Sequence, residues 1–445
     1  MRVPRLPMVL CLVALPLACS PDGTAPLPPQ AFAAVSGGFL YTCAVLGEGS
    51  GVCWGDNGVG QVGNGIVSTI EPSPRSVSGP LLFTQIDAGD RQTCGLIPSG
   101  AAYCWGLSAE GALGSDTSTR SPVPIPVSGG LTFKQISAGW DYTCGVTTAG
   151  AAYCWGANDN GKLGSGTVNA PTPVPVTGGH AFQTITTGQY HTCAIATNGS
   201  AYCWGAGRGG ELGTGDSVDV PTPALVAGGL HFKTMDAAWG HTCGITTTGA
   251  AYCWGGGVDG ELGNGSRDFR YVPVAVSGNH IFSAIAVGLH HSCALATSGQ
   301  LFCWGSNATA QLGGAAGETR ANAPTPYPCS STPILVTGDH LFLSVSAGAF
   351  HTCAIARGGG AFCWGGNDSG QIGNGATGGS VATPVEVHEP PIPTPYLALL
   401  CSAPPFRLRR PRVLRDDHAL RQRASTQRRL AAEIRFLAML AEIEP

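Results

Sequence analysis

The chain is poor in charge and especially poor in lysine. Only 11% of its 445 residues are charged, and only three of these are lysine. Within residues 20–395 there are 11 basic side chains against 22 acidic ones. Because nucleic-acid binding needs clustered lysine and arginine to neutralise phosphates, this acidic body argues against a nucleic-acid partner.

The sequence also lacks the short motifs of common catalytic sites. It contains no Gly-x-Ser-x-Gly, no His-Glu-x-x-His and no phosphate-binding loop. The histidines that recur along the chain have no evident nucleophile beside them. We therefore predict that the protein is not an enzyme and needs no cofactor; a hydrolase or lyase is the disfavoured alternative.

No segment is apolar over a length that would span a bilayer. Two arginines precede an apolar stretch at residues 6–18, which is too short for a span and is typical of an export signal. Cys19 follows directly, as at the lipidation site of bacterial lipoproteins. We predict a signal peptide over residues 1–18, a linker over 19–31 and export to the cell envelope or beyond. Two outcomes stay open: lipid on Cys19 attaches the protein to a membrane, or a plain secretory signal is cut nearby.

Glycine is abundant, at 67 residues, and it marks the turns of a repeat. Cys-Trp-Gly occurs seven times at spacings of 49 to 60 residues, and a glycine ends the next turn in every copy. Within one copy, short segments of alternating polarity are separated by turns such as Asn198-Gly199, which indicates about four antiparallel strands. The repeated tryptophans are Trp54, Trp105, Trp155, Trp204, Trp254, Trp304 and Trp364.

Four-stranded sheets that repeat around an axis are the blades of a β-propeller. The sequence therefore predicts an all-β fold, a seven-bladed β-propeller of about four antiparallel strands per blade, over residues 32–388. An open solenoid is the alternative, but a closed ring leaves no long exposed sheet edge. Residues 389–445 lie outside the repeats and are predicted to form a Pro-rich linker and an Arg-rich tail. This tail is either an appended helix or disordered.

Each repeat contains a second cysteine ten residues before the one in Cys-Trp-Gly. Residues that are symmetric about a hairpin turn face each other, at a Cα separation of about 4.5 Å in a non-hydrogen-bonded pair, which a disulfide can bridge. Seven disulfides follow: Cys43–Cys53, Cys94–Cys104, Cys144–Cys154, Cys193–Cys203, Cys243–Cys253, Cys293–Cys303 and Cys353–Cys363. Cys329 and Cys401 have no partner in the repeats. They either pair with each other, or Cys329 is free.

Four repeats have histidine two residues before the first cysteine. The other three have Tyr41, Gln92 and Tyr142 there. A structural zinc site needs four ligands, and neither a complete set nor a fourth ligand is visible. We predict no metal and a structural role for His191, His241, His291 and His351.

The repeat resembles that of the regulator of chromosome condensation family. The pattern Gly-x-x-His-Thr-Cys-Ala-Ile, followed by Ala-Tyr-Cys-Trp-Gly-x-x-x-x-Gly-x-Leu-Gly, covers residues 32–388 in successive copies. The resemblance implies a seven-bladed propeller whose loops bind protein partners. Eukaryotic members include a guanine-nucleotide exchange factor for a nuclear GTPase, and exported bacterial members include an inhibitor of β-lactamases. The paired cysteines and the export signal favour an exported bacterial protein over exchange activity.

Two adjacent positions before the second strand vary between repeats that are otherwise alike. Equivalent turns of a ring lie on one face, and aromatic residues on rigid turns suit a protein interface. We predict that this face binds a protein partner, with Trp140 and Trp239 as anchors. Two alternatives are that these side chains plug the central channel, or that they bind a carbohydrate or envelope glycan. The predicted partner-binding residues are Phe39, Leu40, Asp90, Arg91, Trp140, Asp141, Gln189, Tyr190, Trp239, Leu289, His290 and Phe350.

Overall fold

The computed structural model describes residues 31–389, apart from residues 117, 118 and 167. The predicted signal peptide, the predicted lipid site at Cys19, Cys401 and the tail after residue 389 lie outside this part of the chain. Those four statements stay predictions. Among the described residues, no helix is long and apolar enough to cross a membrane.

Each repeat folds into one antiparallel sheet, whose strands are neighbours in the order in which they occur along the chain. Blade 1 contains β1 (Phe32–Gly37), β2 (Tyr41–Leu46), β3 (Gly51–Asp56) and β4 (Ile70–Ser76). Blade 2 contains β5 (Gln85–Ala88), β6 (Gln92–Leu96), β7 (Ala102–Leu107) and β8 (Arg120–Pro126). Blade 3 contains β9 (Phe133–Ala138), β10 (Tyr142–Thr147), β11 (Ala152–Gly156) and β12 (Ala170–Pro175).

Blade 4 contains β13 (Phe182–Thr187), β14 (His191–Ala196), β15 (Ala201–Gly205) and β16 (Val220–Leu225). Blade 5 contains β17 (Phe232–Ala237), β18 (His241–Thr246), β19 (Ala251–Gly255) and β20 (Arg270–Ala275). Blade 6 contains β21 (Phe282–Val287), β22 (His291–Ala296), β23 (Leu301–Ser306), β24 (Glu318–Arg320) and β25 (Tyr327–Leu335). Blade 7 contains β26 (Phe342–Ala347), β27 (His351–Ala356), β28 (Ala361–Gly366) and β29 (Ser380–Glu386).

The predicted seven-bladed propeller is confirmed. Six blades have four strands; in blade 6 an insertion adds β24, which pairs with the lengthened β25. Short 3₁₀ turns occur at Ala109–Gly111 and Asp159–Gly161. Every blade is one contiguous piece of chain, so the ring closes by packing blade 1 against blade 7 and not by a strand shared between the chain ends.

The cysteine pairs lie in the hairpin of the second and third strands of every blade. In blade 4, Cys193 is the register partner of Cys203, as the symmetric spacing about Asn198 predicts. The structure contains all seven predicted disulfides, with Cα separations of 4.0 to 4.1 Å, and every one of these cysteines is buried. Cys329 in β25 is a buried free thiol.

The repeated tryptophans join each blade to the one before it. The Trp254 indole nitrogen donates to the backbone oxygen of Glu211 in the preceding blade at 2.9 Å. The Trp54 indole nitrogen makes the same bond to Gln371 of blade 7, also at 2.9 Å, and this bond helps to close the ring. All seven indoles are fully buried. The Cys-Trp-Gly repeat therefore encodes a disulfide within each blade and a hydrogen bond between blades.

The four recurrent histidines also bridge neighbouring blades. His191 and His241 are buried, and each places Nε2 within 2.9 Å of the Thr242 or Ser292 hydroxyl of the next blade. His291 and His351 contact the equivalent threonines in the same way. Burial lowers their pKa values, to about 4 for His191 and to about 3 for the other three, so they are neutral at physiological pH. Their place in the fold is that of interblade contacts.

The glycine that ends the turn after each third strand lies against the tryptophan of the next blade. Gly213 has a φ of +65°, and a Cβ built there would lie 2.8 Å from the Trp254 ring. Gly229 has nearly the same φ, +63°, but open space around it. We expect Gly229→Ala to cost about 1 kcal/mol of stability through backbone strain. Gly213→Ala should cost a further 1–3 kcal/mol, roughly, from overpacking. Urea unfolding of both variants measures the difference, and equal losses would contradict the steric argument.

Candidate functional site

The first strand of every blade lines a central cavity of about 390 Å³. The turn that follows each first strand contributes to the same lining, so all seven variable turns lie at one mouth of this cavity. The third strand of each blade ends on the same side; the Asp56 N–H, for example, donates to Leu40 O at 3.0 Å. We call this side the mouth face and the opposite side, which holds the turns between second and third strands, the far face.

The two positions of each variable turn differ in direction. The first members line the cavity, and these are Phe39, Asp90, Trp140, Gln189, Trp239, Leu289 and Ala349. The second members lie outside the lining, and these are Leu40, Arg91, Asp141, Tyr190, Gly240, His290 and Phe350. All twelve residues of the predicted site therefore lie on the mouth face, in an inner and an outer circle.

The aromatic side chains form two groups at the mouth. The Phe39 ring contacts Trp140 edge-on at a centroid distance of 5.1 Å and Phe350 at 5.8 Å, and all three are half-buried. Tyr190 and Trp239 are more open, with 40% and 41% of their surface exposed. The first group covers part of the mouth, while Tyr190 and Trp239 present their rings to solvent.

Acidic side chains surround these aromatic residues. Burial raises the pKa of Asp90 to about 7, although Arg91 beside it acts in the opposite direction. Burial also raises the pKa of Asp141, partly offset by Lys162 and Arg91. Lys162 is itself buried, with its ammonium 5.1 Å from the centre of the Tyr142 ring. The mouth thus places partly desolvated carboxyl groups beside aromatic rings.

A polar network that the sequence did not predict fixes His290 next to Trp239. The His290 and Trp239 rings are 4.7 Å apart, and His290 Nδ1 is 3.6 Å from carboxylate oxygens of Asp259 and Glu261. The blade 6 insertion adds Arg320 Nε and the Tyr327 hydroxyl, at 3.3 and 2.8 Å from Asp259 Oδ1. No pattern within one repeat indicates these contacts, because Asp259 and Tyr327 are 68 residues apart.

The same network contains the residues best placed to hold a metal in the described part of the chain. Ligand atoms of Asp259, Glu261 and His290 lie within 4.8 Å of one another. Arg320 already places a positive charge on Asp259, which opposes binding of a cation there. The arrangement therefore serves to hold the imidazole in place against Trp239.

The innermost strands carry a second feature that the sequence analysis missed. One position of each first strand faces the next blade, and its side chain accepts the N–H of that blade's following residue in six of the seven blades. These belt positions are Ser36, Asp87, Ser137, Thr186, Asp236, Ala286 and Ser346. Alignment of the repeats on their cysteines would have identified them, because each is the register partner of the first cysteine.

Comparisons with known proteins agree with this architecture. The family model of the RCC1-like domain matches residues 17–328, and that of the regulator of chromosome condensation (RCC1) repeat matches residues 342–371. Human WBSCR16 has a similar structure, with 21% identity, coverage of 75% of this chain and 88% of its own, and a TM-score of 0.66. Yeast RCC1 (Prp20), solved with Kap60, has 20% identity, coverage of 81% and 84%, and a TM-score of 0.66. At these identities the likeness to the solved structures shows the fold.

Proposed function

Because this chain belongs to the family of proteins with an RCC1-like domain, we propose that it is an exported propeller that binds a protein partner on its mouth face. The observation that carries the proposal is the circle of variable turns, which presents exposed aromatic side chains on a rigid scaffold. Seven disulfides are typical of an oxidising compartment such as the envelope or the extracellular space. In the same family, the yeast protein Prp20p has binding properties towards Gsp1p and histones.

Exposed apolar residues extend the proposed surface outward over three adjacent blades. Val168, Val218 and Phe269 precede the fourth strands of blades 3, 4 and 5, with exposures of 84%, 54% and 46%. They lie on the same face as Trp140, Tyr190 and Trp239 of the same three blades. Contiguous exposed apolar surface favours an interaction site. We therefore centre the proposed footprint on blades 3 to 5.

The two tryptophans supply the test. Capture from envelope and extracellular fractions on the immobilised full chain identifies a partner, whose affinity is then measured with Trp140→Ala and Trp239→Ala. Loss of a true anchor costs about 2 kcal/mol or more, which is about a 30-fold rise in Kd. Leu82→Ala, which removes a 51%-exposed side chain on the far face, is the matched control and should leave Kd unchanged.

Stability measurements separate binding from plugging. Trp239→Ala should change stability by less than about 0.5 kcal/mol, because the side chain is largely exposed. Trp140→Ala also loses the ring contact with Phe39, worth about 1 kcal/mol. If both variants lower the melting temperature and keep full affinity, the residues are a plug and the proposal is wrong. Binding to a glycan array with no protein captured would favour a carbohydrate ligand instead.

A further inference from the structure

The proposed partner surface continues downward into the cavity, where charge replaces aromatic character. Asp87 in β5 and Asp236 in β17 both line the cavity, and they approach it from blades 2 and 5, on opposite sides of the ring. Phe39, Trp140 and Trp239 line the same cavity at its mouth. An aromatic rim above two carboxylates is an arrangement that attracts an organic cation.

The fold does not need these two negative charges. Asp87 accepts the Ala138 N–H, and Asp236 accepts the Val287 N–H at 2.8 Å, which is the belt hydrogen bond described above. Serine or threonine hydroxyls accept the equivalent bond in four other blades, for example Ser137 from the Thr187 N–H at 3.2 Å. A neutral hydroxyl therefore satisfies the structural requirement, and the charges of Asp87 and Asp236 remain without a structural explanation.

These charges are also costly to the folded protein. Burial, together with the charge of Asp236, raises the pKa of Asp87 to about 7, and burial raises that of Asp236 to about 6. Carboxyl groups that are harder to ionise in the fold than in the unfolded chain destabilise the fold once they are ionised. Costly charges of this kind are found more often at functional sites than elsewhere.

A third acceptor in the cavity is independent of the carboxylates. Gln189 lines the cavity mouth and is only 8% exposed. Its Oε1 is buried and has no hydrogen-bond partner among the described residues. A buried acceptor without a donor costs about 1–3 kcal/mol, so its presence at this place indicates a donor that a ligand supplies.

We propose that the cavity receives one basic side chain of the partner, a lysine or arginine, whose N–H groups are bound by Asp87, Asp236 and Gln189. This inference rests on the proposed function and adds the chemistry of the partner. Ammonium and guanidinium groups offer several donors in different directions, which suits acceptors on opposite walls. The aromatic rim packs against the aliphatic part of the side chain and stabilises its charge.

The test uses a random peptide library displayed on phage and selected on the immobilised full chain under oxidising conditions. Peptides that bind through the mouth face are those that bind Trp140→Ala and Trp239→Ala weakly. We expect them to share one lysine or arginine. Replacing it by norleucine should weaken binding to the unchanged protein at least tenfold, and should have little effect on the double variant Asp87→Ser/Asp236→Ser.

The double variant keeps the belt, because serine occupies this position in other blades. Its melting temperature at pH 8 should equal or exceed that of the unchanged protein, while its affinity for the selected peptides falls at least tenfold. Glu48→Gln/Asp339→Asn removes the same charge from two exposed residues on the far face and is the matched control. Its affinity should not change.

The outcomes distinguish this inference from the proposed function. Peptides that depend on Trp140 and Trp239, but share no basic residue or bind the double variant equally well, overturn the cation site and leave the partner surface intact. Selection without any dependence on the two tryptophans overturns both. Calorimetric binding of spermidine or Ca²⁺ that needs Asp87 and Asp236, without selection of basic peptides, would assign the cavity to a free cation and also overturn the proposal.

Discussion

Reduction of the disulfides is expected to abolish refolding of the propeller. Each bond closes a loop between cysteines ten residues apart. On the chain-entropy model, such a loop stabilises the fold by about 2–3 kcal/mol. Seven bonds therefore contribute on the order of 15–20 kcal/mol, as much as or more than the whole stability of a typical domain. After unfolding in urea with dithiothreitol, dilution into reducing buffer should give no native circular dichroism, whereas the oxidised protein should refold.

The folded protein should nevertheless resist dithiothreitol alone. All fourteen paired cysteines are buried, so the reductant reaches them only when a blade opens. The variant Cys193→Ala/Cys203→Ala is the control for a single loop, and it should remain folded with a loss of about 2–3 kcal/mol. Recovery of the native spectrum by the fully reduced chain would contradict the argument.

The sequence could predict what is local to one repeat. Cys193 and Cys203 are placed by a hairpin whose register depends on the turn between them, so ten-residue spacing was enough to assign the bond. The same reasoning identified the strands and the variable turns. It gave the blade count because seven copies of one local unit are seven blades.

Features that depend on contacts between repeats were not predictable in this way. The direction of each turn side chain, into the cavity for Gln189 and away from it for Tyr190, depends on how neighbouring blades pack. The contact of Tyr327 with Asp259 depends on the path of an insertion that no other repeat contains. Asp87 and Asp236 escaped notice because the analysis compared turns, whereas these residues differ from their equivalents within a strand.

The buried histidines should make the fold sensitive to acid. Their pKa values are about 3 to 4 in the fold and about 6.5 in an unfolded chain, so between these values the unfolded state binds more protons. Their contribution is complete above about pH 6.5 and is lost as pH falls towards 4. At pH 5 each histidine costs about 2 kcal/mol relative to neutral pH, and four cost about 8 kcal/mol.

Three carboxyl groups act in the opposite direction. The pKa values of Asp87 and Asp90 are raised to about 7 and that of Asp236 to about 6, so the folded state gains protons as pH falls from 7 to 4. The stability of the unchanged protein should therefore fall less steeply than the histidines alone would require. The double variant Asp87→Ser/Asp236→Ser should show a steeper loss on acidification.

A variant with glutamine in place of all four histidines isolates their contribution. Glutamine suits the position, because Gln92 occupies it in blade 2 and donates from Nε2 to Gly139 O and Tyr142 O of blade 3 at 3.0 and 3.1 Å. Urea unfolding at pH 7.5 and pH 5 should show that this variant loses about 8 kcal/mol less on acidification than the unchanged protein. His231→Gln changes an exposed histidine on the far face and should leave the difference between the two pH values unaltered. Equal losses for the unchanged protein and the fourfold variant would mean that the buried imidazoles can take up protons in the fold, against the burial that the blade interfaces give them.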